Sequence, residues 1–482
     1  SRFFAMCVVA ISVSISILLG ASVFAQNVTK QNGNLHEKQA RVSPEWIQNA
    51  IMYQINTRAM TPEGTVGAIR EKLPILKKAG VTVIYFCPLF TMDDDMNQDF
   101  WSPRQVISKL GNPKNPYRMN DYDKIDSEYG TESDVRAFVE EAHRQGFRVM
   151  FDLVYLHCGP KATLVKTHPE YFRHNPDGSL HLTYWKFPEF DFTKMETREY
   201  FWQNMEFLVK TFDVDGFRMD VADAIPLDFW EEARRRVDKI KPGCCFFAEG
   251  TRVTDQLFAF DMNYGFPFFS TVKNVYDNNA PASTIRKNVE DMCAARPKGA
   301  RIVHYLDNHD LSNDDFHNRI DKRWTIPGVD AALVMIFTLD GVPMLYCGQE
   351  IADMSRHSLY GSQKFGNCII DWSRLETETG QNRLAFLGKL AEIRKNDPIF
   401  TRGTVEWLDN DAPDEILSFY RVLDGRKKLV LINMKPKSVT VKVSGVTAEN
   451  VEKSCVESAY SRGITANGDA FQVEPFGFMI GK

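Results

Sequence analysis

Between Ile51 and Gly348 the chain returns repeatedly to short apolar runs rich in β-branched and aromatic residues, separated by longer stretches of helical pattern. The runs are Ile51–Asn56, Val81–Leu89, Phe147–Leu156, Val214–Val221, Cys244–Glu249, Ile302–Asn308 and Val342–Gly348; Val135–Gln145 and Asp228–Ile240 are amphipathic segments between them. Strands this continuously apolar are buried on both faces, and their alternation with helices demands a parallel sheet. Seven or eight such units predict an α/β fold, a (β/α)₈ barrel, better than an open doubly wound sheet. No glycine fingerprint for a dinucleotide follows the first run, which weakens that alternative further. A length of 482 residues accommodates a barrel with appendages.

The ends of these runs carry the chemistry. Asp152 with His157, Arg218 with Asp220, Glu249, and Asn308-His309-Asp310 all stand at the C-terminal ends of predicted strands. That is the face on which such barrels build their active sites, so several carboxylates should converge on one pocket. Cleaving a glycoside takes two carboxyl groups across the bond, about 5–5.5 Å apart when the anomeric configuration is retained. Neighbouring strands lie under about 5 Å apart, so Asp220 and Glu249 on successive strand ends can supply that pair. The net charge of −5 is mild and holds no long like-charge block, which excludes nucleic acid as an evident partner. Nine cysteines include Cys87, Cys245 and Cys347 inside apolar runs, where they read as core rather than as a disulfide framework; no Cys/His cluster suggests zinc.

The motifs around these residues, FRVMFDLVYLH at Phe147–His157, DGFRMDVAD at Asp215–Asp223, FFAEG at Phe246–Gly250 and YLDNHD at Tyr305–Asp310, resemble in order and spacing the four sequence regions of the α-amylase superfamily, glycoside hydrolase family 13. The segments GVTVIYFCPLF at Gly80–Phe90, NPYRMNDYDKIDSEYGT at Asn115–Thr131, FPEFDF at Phe187–Phe192 and GVPMLYCGQE at Gly341–Glu350 agree, so the resemblance runs from about residue 50 to about residue 400. It implies an enzyme acting on α-glucosidic bonds of glucans or oligosaccharides through a covalent glycosyl-enzyme. Asp220 would be the nucleophile, Glu249 the general acid/base and Asp310 the third carboxylate. Arg218 would hold Asp220 ionised, Tyr117, His157 and His309 would bind the sugar, and Asp152 would be a structural carboxylate beside Arg218. Glu249 would have to start protonated. Trp185 and Tyr184 are either a sugar platform or core, and Glu350 and Asp371 are expected to be structural.

The sequence departs from the family pattern in two places. Leu156 replaces the asparagine that usually precedes the first-region histidine and binds calcium. Leucine cannot ligate a hard cation, so no cofactor is required by this reading and a structural calcium there is doubtful. Asp223 and Ala224 stand where many α-amylases carry Lys-His, so the leaving-group side differs from that of a starch-degrading enzyme. Transglycosylation, isomerisation of a disaccharide, and a catalytically inactive glycan-binding relative are the alternative readings.

Residues 1–25 read as a secretory signal peptide, with an N-terminal membrane anchor as the alternative, and residues 26–43 as a loose polar leader. These predict a secreted or periplasmic protein that is not inserted in a membrane once the signal is cleaved. The catalytic barrel is expected over 44–400. It is interrupted at 158–194, where periodicity lapses and a small inserted domain is predicted. Short strands at Ile416–Val422, Lys428–Asn433, Val439–Val443 and Ala470–Ile480 predict a C-terminal antiparallel β-sandwich over 401–482.

Overall fold

A computed structural model describes residues 34–314 and 318–482. The signal-peptide segment 1–25 and the leader up to residue 33 lie outside the described residues. Eight parallel strands close into a barrel in chain order: β1 Met52–Ile55, β2 Val83–Phe86, β3 Arg148–Leu153, β4 Gly216–Met219, β5 Cys245–Ala248, β6 Met262–Tyr264, β7 Ile302–Tyr305 and β8 Val342–Tyr346. β8 returns to pair with β1, with Met52 opposite Met344. Except for the exposed Arg148 that begins β3, every residue of these strands is buried. The apolar runs of the sequence are therefore the barrel staves, packed by side chains inside and helices outside.

The strand the sequence does not signal is β6. It has three residues, and the preceding Asp261 and its own central Asn263 break the apolar run. Register rather than composition makes it a strand: Met262 pairs with Phe247, and Asn263 pairs with Ile302. The helix Glu132–Arg144 begins at a capping box in which Thr131 and Asp134 satisfy each other's backbone N–H groups. The helix Ile326–Thr338 is buried along almost its whole length. A helix that is apolar all round must be covered on both sides, and here the second cover is the C-terminal sheet.

That sheet holds β9 Thr404–Trp407, β10 Ile416–Leu423, β11 Arg426–Asn433, β12 Val439–Val441, β13 Ser458–Asn467 and β14 Ala470–Gly481. Its order is β12-β14-β11-β10-β9, with β13 on the other side of β14. The sandwich expected there is a single hydrogen-bonded sheet. The long β13–β14 pair breaks register between Arg462 and Ile464, so β14 serves β12 with one half and β11 with the other. Leu431, Val441, Val451, Phe471 and Met479 form a small core within it. Arg421 donates to the carbonyl of Thr338 at 2.6 Å and Arg462 to Asp330 at 2.8 Å, fixing the sheet to the buried helix.

Residues 34–43, expected to be loose, dock on the barrel. Leu35 is buried, Gln39 bridges to Lys298, and Arg41 and Ser43 both bind the buried Asp261, Ser43 at 2.6 Å. The cause is Asp261, whose charge beneath β5 is shared between Arg41 and Arg234. The segment 158–194 carries a one-turn helix at Thr163–Thr167 and isolated bridges, among them His157–Glu189 and Phe172–Phe190.

Candidate active site

Parallel register sets the two carboxylates side by side. Met219 pairs with Ala248, so the next residues, Asp220 and Glu249, leave adjacent strands together. The ladder continues past both strand ends: the Asp220 N–H donates to Leu153 O at 2.9 Å and the Glu249 N–H to Met219 O at 3.0 Å. Val221 then takes a left-handed backbone, φ 45° and ψ 44°, which a β-branched residue rarely adopts. This turn costs about 1–3 kcal/mol. It points the Val221 N–H at Glu249 Oε2, at 2.7 Å.

Arg218 is fully buried and organises the charges. Its Nη1 lies 2.8 Å from Asp152 Oδ1 and 2.7 Å from Asp220 Oδ1, and its Nη2 lies 2.8 Å from Glu249 Oε2. The last is an ion pair without the alignment of a hydrogen bond, since Nη2 has no hydrogen-bond partner among the described residues. Two carboxylates on neighbouring nitrogens of one guanidinium fit the short spacing of a retaining pair. Asp152 also accepts hydroxyl hydrogen bonds from Tyr117 at 2.7 Å and Tyr85 at 2.9 Å. The register of β3 and β4 places Asp152 directly opposite Arg218.

Burial, followed by the charge of Glu249, pushes the Asp220 carboxyl well above the usual carboxylate range, against the pull of Arg218. Arg218 pulls the carboxyl downward, and burial with the charge of Glu249 opposes it. Asp310 behaves in the opposite way. Burial alone would raise it, but Arg104, with Arg218 behind it, holds it below the usual range.

An open pocket lies over these groups, lined by Tyr117, His157, Asp220, Glu249, His309 and Asp310 among others. All eight residues singled out in the sequence converge here, with Asp152 and Arg218 buried behind the lining. Tyr117 stacks on the His309 ring, centroids 5.0 Å apart at 14°. One face of the tyrosine is thus taken by the protein. The Gln54 amide donates to His309 Nδ1 at 2.8 Å, which leaves Nε2 as the N–H of a neutral ring facing the pocket. His157 is held by packing against Trp185 and Phe187 at 5.4 and 4.9 Å between centroids. Among the described residues neither of its ring nitrogens has a side-chain hydrogen-bond partner.

Trp185 lines the pocket, whereas Tyr184 is exposed to solvent. Glu350 is buried away from the site and takes the Tyr53 hydroxyl at 2.6 Å; burial raises it to about 7. Asp371 caps the turn beginning at Trp372. Asp223 is absorbed in its own turn, accepting the Thr251 N–H at 2.7 Å, while Arg252 grips the carbonyls of Ala222, Asp223 and Ile225. Sequence reasoning missed Gln54 and Arg104. Gln54 had a signal, as a lone amide within an apolar strand; Arg104, which donates to Asp310 at 2.8 Å from a loop after β2, had none.

The α-amylase catalytic-domain family model matches residues 27–177 and 166–414. The chain belongs to the α-amylase family. Among its relatives, the intracellular maltogenic amylase of Bacillus subtilis (strain 168) is 24% identical over 494 residues, covering 92% of this chain and 78% of that protein. The cyclomaltodextrinase of Thermoanaerobacter pseudethanolicus is 24% identical, covering 84% and 73%. Among solved structures, a noncanonic maltogenic α-amylase from Thermotoga neapolitana aligns with a TM-score of 0.73 at 24% identity, over 90% of this chain and 96% of that one. This protein is accordingly an α-amylase-type glycoside hydrolase, working on α-glucosidic bonds with retention. No helix among the described residues is long and apolar enough to cross a membrane.

The calcium that many family members hold beside the first-region histidine does not fit this chain. Leu156 is buried and offers no side-chain oxygen, and its carbonyl accepts the Phe190 N–H at 3.0 Å. Calcium needs six to eight oxygen ligands. The described residues hold no cluster of three or more histidine, cysteine or acidic side chains arranged for a metal.

Proposed function

We propose that Asp220 attacks the anomeric carbon of a bound α-glucoside while Glu249 gives its proton to the departing glycosidic oxygen. The bond to Asp220 forms as the glycosidic bond breaks, and the freed sugar leaves with the proton of Glu249. Water then enters on the leaving side, Glu249 takes its proton, and the hydroxyl displaces Asp220, so the released sugar keeps its α configuration. The observation that carries this reading is the single buried guanidinium of Arg218 bound to Asp152, Asp220 and Glu249. Two ionised carboxylates repel in so dry a site. One proton resident on Glu249 removes that repulsion and leaves Asp220 with its hydrogen bond from Arg218, which is the starting state of the reaction. Tyr117, His157, His309 and Asp310 orient the sugar ring, Asp152 fixes Arg218, and short α-linked glucans are the substrate. The catalytic unit is read as 44–400, interrupted at 158–194, with 401–482 as a supporting domain.

Purified protein and its Asp220→Asn variant, incubated with maltooligosaccharides, isomaltose, sucrose and trehalose, should be followed by NMR of the products. α-Configured sugar made by the wild type and absent with the variant supports the assignment; equal turnover by the variant removes Asp220 from its role. Disaccharide products longer than the donor, or an isomerised sugar, would shift the reading to transfer or isomerisation. The enzyme is also read as calcium-independent on account of Leu156: its melting temperature and rate should be unchanged by a chelator, and a drop restored by calcium would contradict this. Export rests on residues 1–25 alone, and is tested by whether the mature protein begins after Ala25.

A further inference from the structure

Arg104 and Asp314 stand half exposed at the rim of the pocket, and the mechanism does not use them. Arg104, on the short helix Pro103–Ser108 in the loop after β2, donates from Nη1 to Asp310 Oδ1 at 2.8 Å. Its Nε and Nη2 grip both oxygens of Asp314, at 2.6 and 3.0 Å. A bidentate guanidinium–carboxylate pair is geometrically rigid as well as strong. The same loop is stitched to the loop after β8: Ser102 Oγ lies 3.3 Å from the Tyr360 hydroxyl, and the Asn112 amide donates to Tyr360 O at 3.0 Å. Leu359 and Tyr360 are buried against Cys87 and complete the barrier.

The position of this wall follows from the strand order. β7, β8, β1 and β2 are consecutive neighbours in the closed ring, and the wall is built from Arg104 and Asn112 after β2, Asp310 and Asp314 after β7, and Leu359 and Tyr360 after β8. Asp220 and Glu249 follow β4 and β5, across the mouth of the ring. Glu249 protonates the leaving oxygen, so the departing sugar lies on the Glu249 side. The wall therefore stands against the opposite end of the residue being cleaved, where a longer chain would have to continue. Both Arg104 and Tyr360 belong to the lining of the same pocket as Asp220 and Glu249.

We propose that Arg104, bridging Asp310 to Asp314, closes the pocket at the end opposite Glu249, so that the enzyme accepts the non-reducing end of an α-glucan and removes its terminal glucosyl unit. Arg104 is a specificity-determining and positioning residue: it holds Asp310 in place and denies the chain a path past it. This rests on the α-glucan reading above, and the probes separate the two. Maltotetraose and the same sugar carrying a 4,6-O-benzylidene block on its non-reducing end are given to the wild type and to the Arg104→Ala, Arg104→Lys and Asp314→Asn variants, with cleavage products and calorimetric binding to Glu249→Gln protein measured side by side. The wild type should release glucose from free maltotetraose and cleave and bind the blocked sugar at least tenfold more poorly. Asp314→Asn, which leaves the Arg104–Asp310 contact intact, and Arg104→Ala should narrow that gap to under threefold and let maltose appear as a first product; Arg104→Lys should fall between. Equal handling of both sugars by the wild type would overturn the closure and leave the α-glucan reading intact. Neither cleavage nor binding of either sugar would bring down the α-glucan reading and the closure with it.

Discussion

The two sides of the pocket solve the problem of burying polar groups in opposite ways. On the β3–β5 side, Asp152, Arg218, Asp220 and Glu249 form a lattice in which each carboxylate has the same guanidinium as a partner. On the side of the 158–194 segment, His157 is buried against Trp185 and Phe187, and among the described residues neither ring nitrogen meets a side-chain partner. The first wall is complete without a ligand and sets where charge and protons sit. The second packs a neutral imidazole among aromatic rings at the pocket lining. A site built this way keeps its charged machinery preorganised.

The largest effect should come from the complete wall. Asp220→Asn removes the proposed nucleophile and should lower turnover by on the order of 10⁴-fold or more; steady-state rates on a maltooligosaccharide check it, and a loss of under tenfold would break the contrast at its centre. Arg218→Met should be the most destabilising change in the pocket, because it leaves the buried Asp152 and Asp220 without a cation. Breaking a buried pair costs about 3–5 kcal/mol, to be read from urea unfolding; a variant as stable as the wild type would show that Asp152, Asp220 and Glu249 do not depend on their shared partner.

His157 sharpens the other half. Burial lowers its pKa to about 3, against about 6.5 in an unfolded chain. Between those values the unfolded state binds a proton that the folded state refuses. Folding stability therefore falls as pH drops through that window, by up to about 1.4 kcal/mol per pH unit from this group. His157→Asn should lose that slope relative to the wild type, while kcat/KM falls about tenfold for one lost ligand hydrogen bond. Parallel stability–pH curves for the two proteins would show that His157 is not buried in its neutral form. Tyr117→Phe should have the smallest effect. It loses the hydroxyl bond to Asp152 and keeps the stack on His309, so activity should fall only a few-fold, within the roughly 0.5–1.5 kcal/mol of one net hydrogen bond. A much larger loss would mean that Tyr85 cannot hold Asp152 alone.

What could be read along the chain was what local pattern encodes. The apolar runs fix the staves, and the polar residue directly after each run fixes what stands at the barrel mouth, because a parallel strand delivers its C-terminal end to one face only. Asp220 and Glu249 needed nothing more than their positions one residue beyond β4 and β5. What the pattern did not carry were contacts between distant segments. β6 is too short to show a period and exists through its partners β5 and β7. The docking of residues 34–43 depends on Asp261, more than 200 positions away. The Gln54 bond that sets the His309 tautomer, the grip of Arg104 on Asp310 and Asp314, and the upward push on Asp220 all depend on which charges meet after the ring closes. Residue order by itself determined the barrel, its reactive face and the identity of the carboxylates; only the tertiary structure decided their charge, the wall that bounds the pocket and the aromatic packing around His157, because electrostatic energy and burial depend on distance in space and not on separation along the chain.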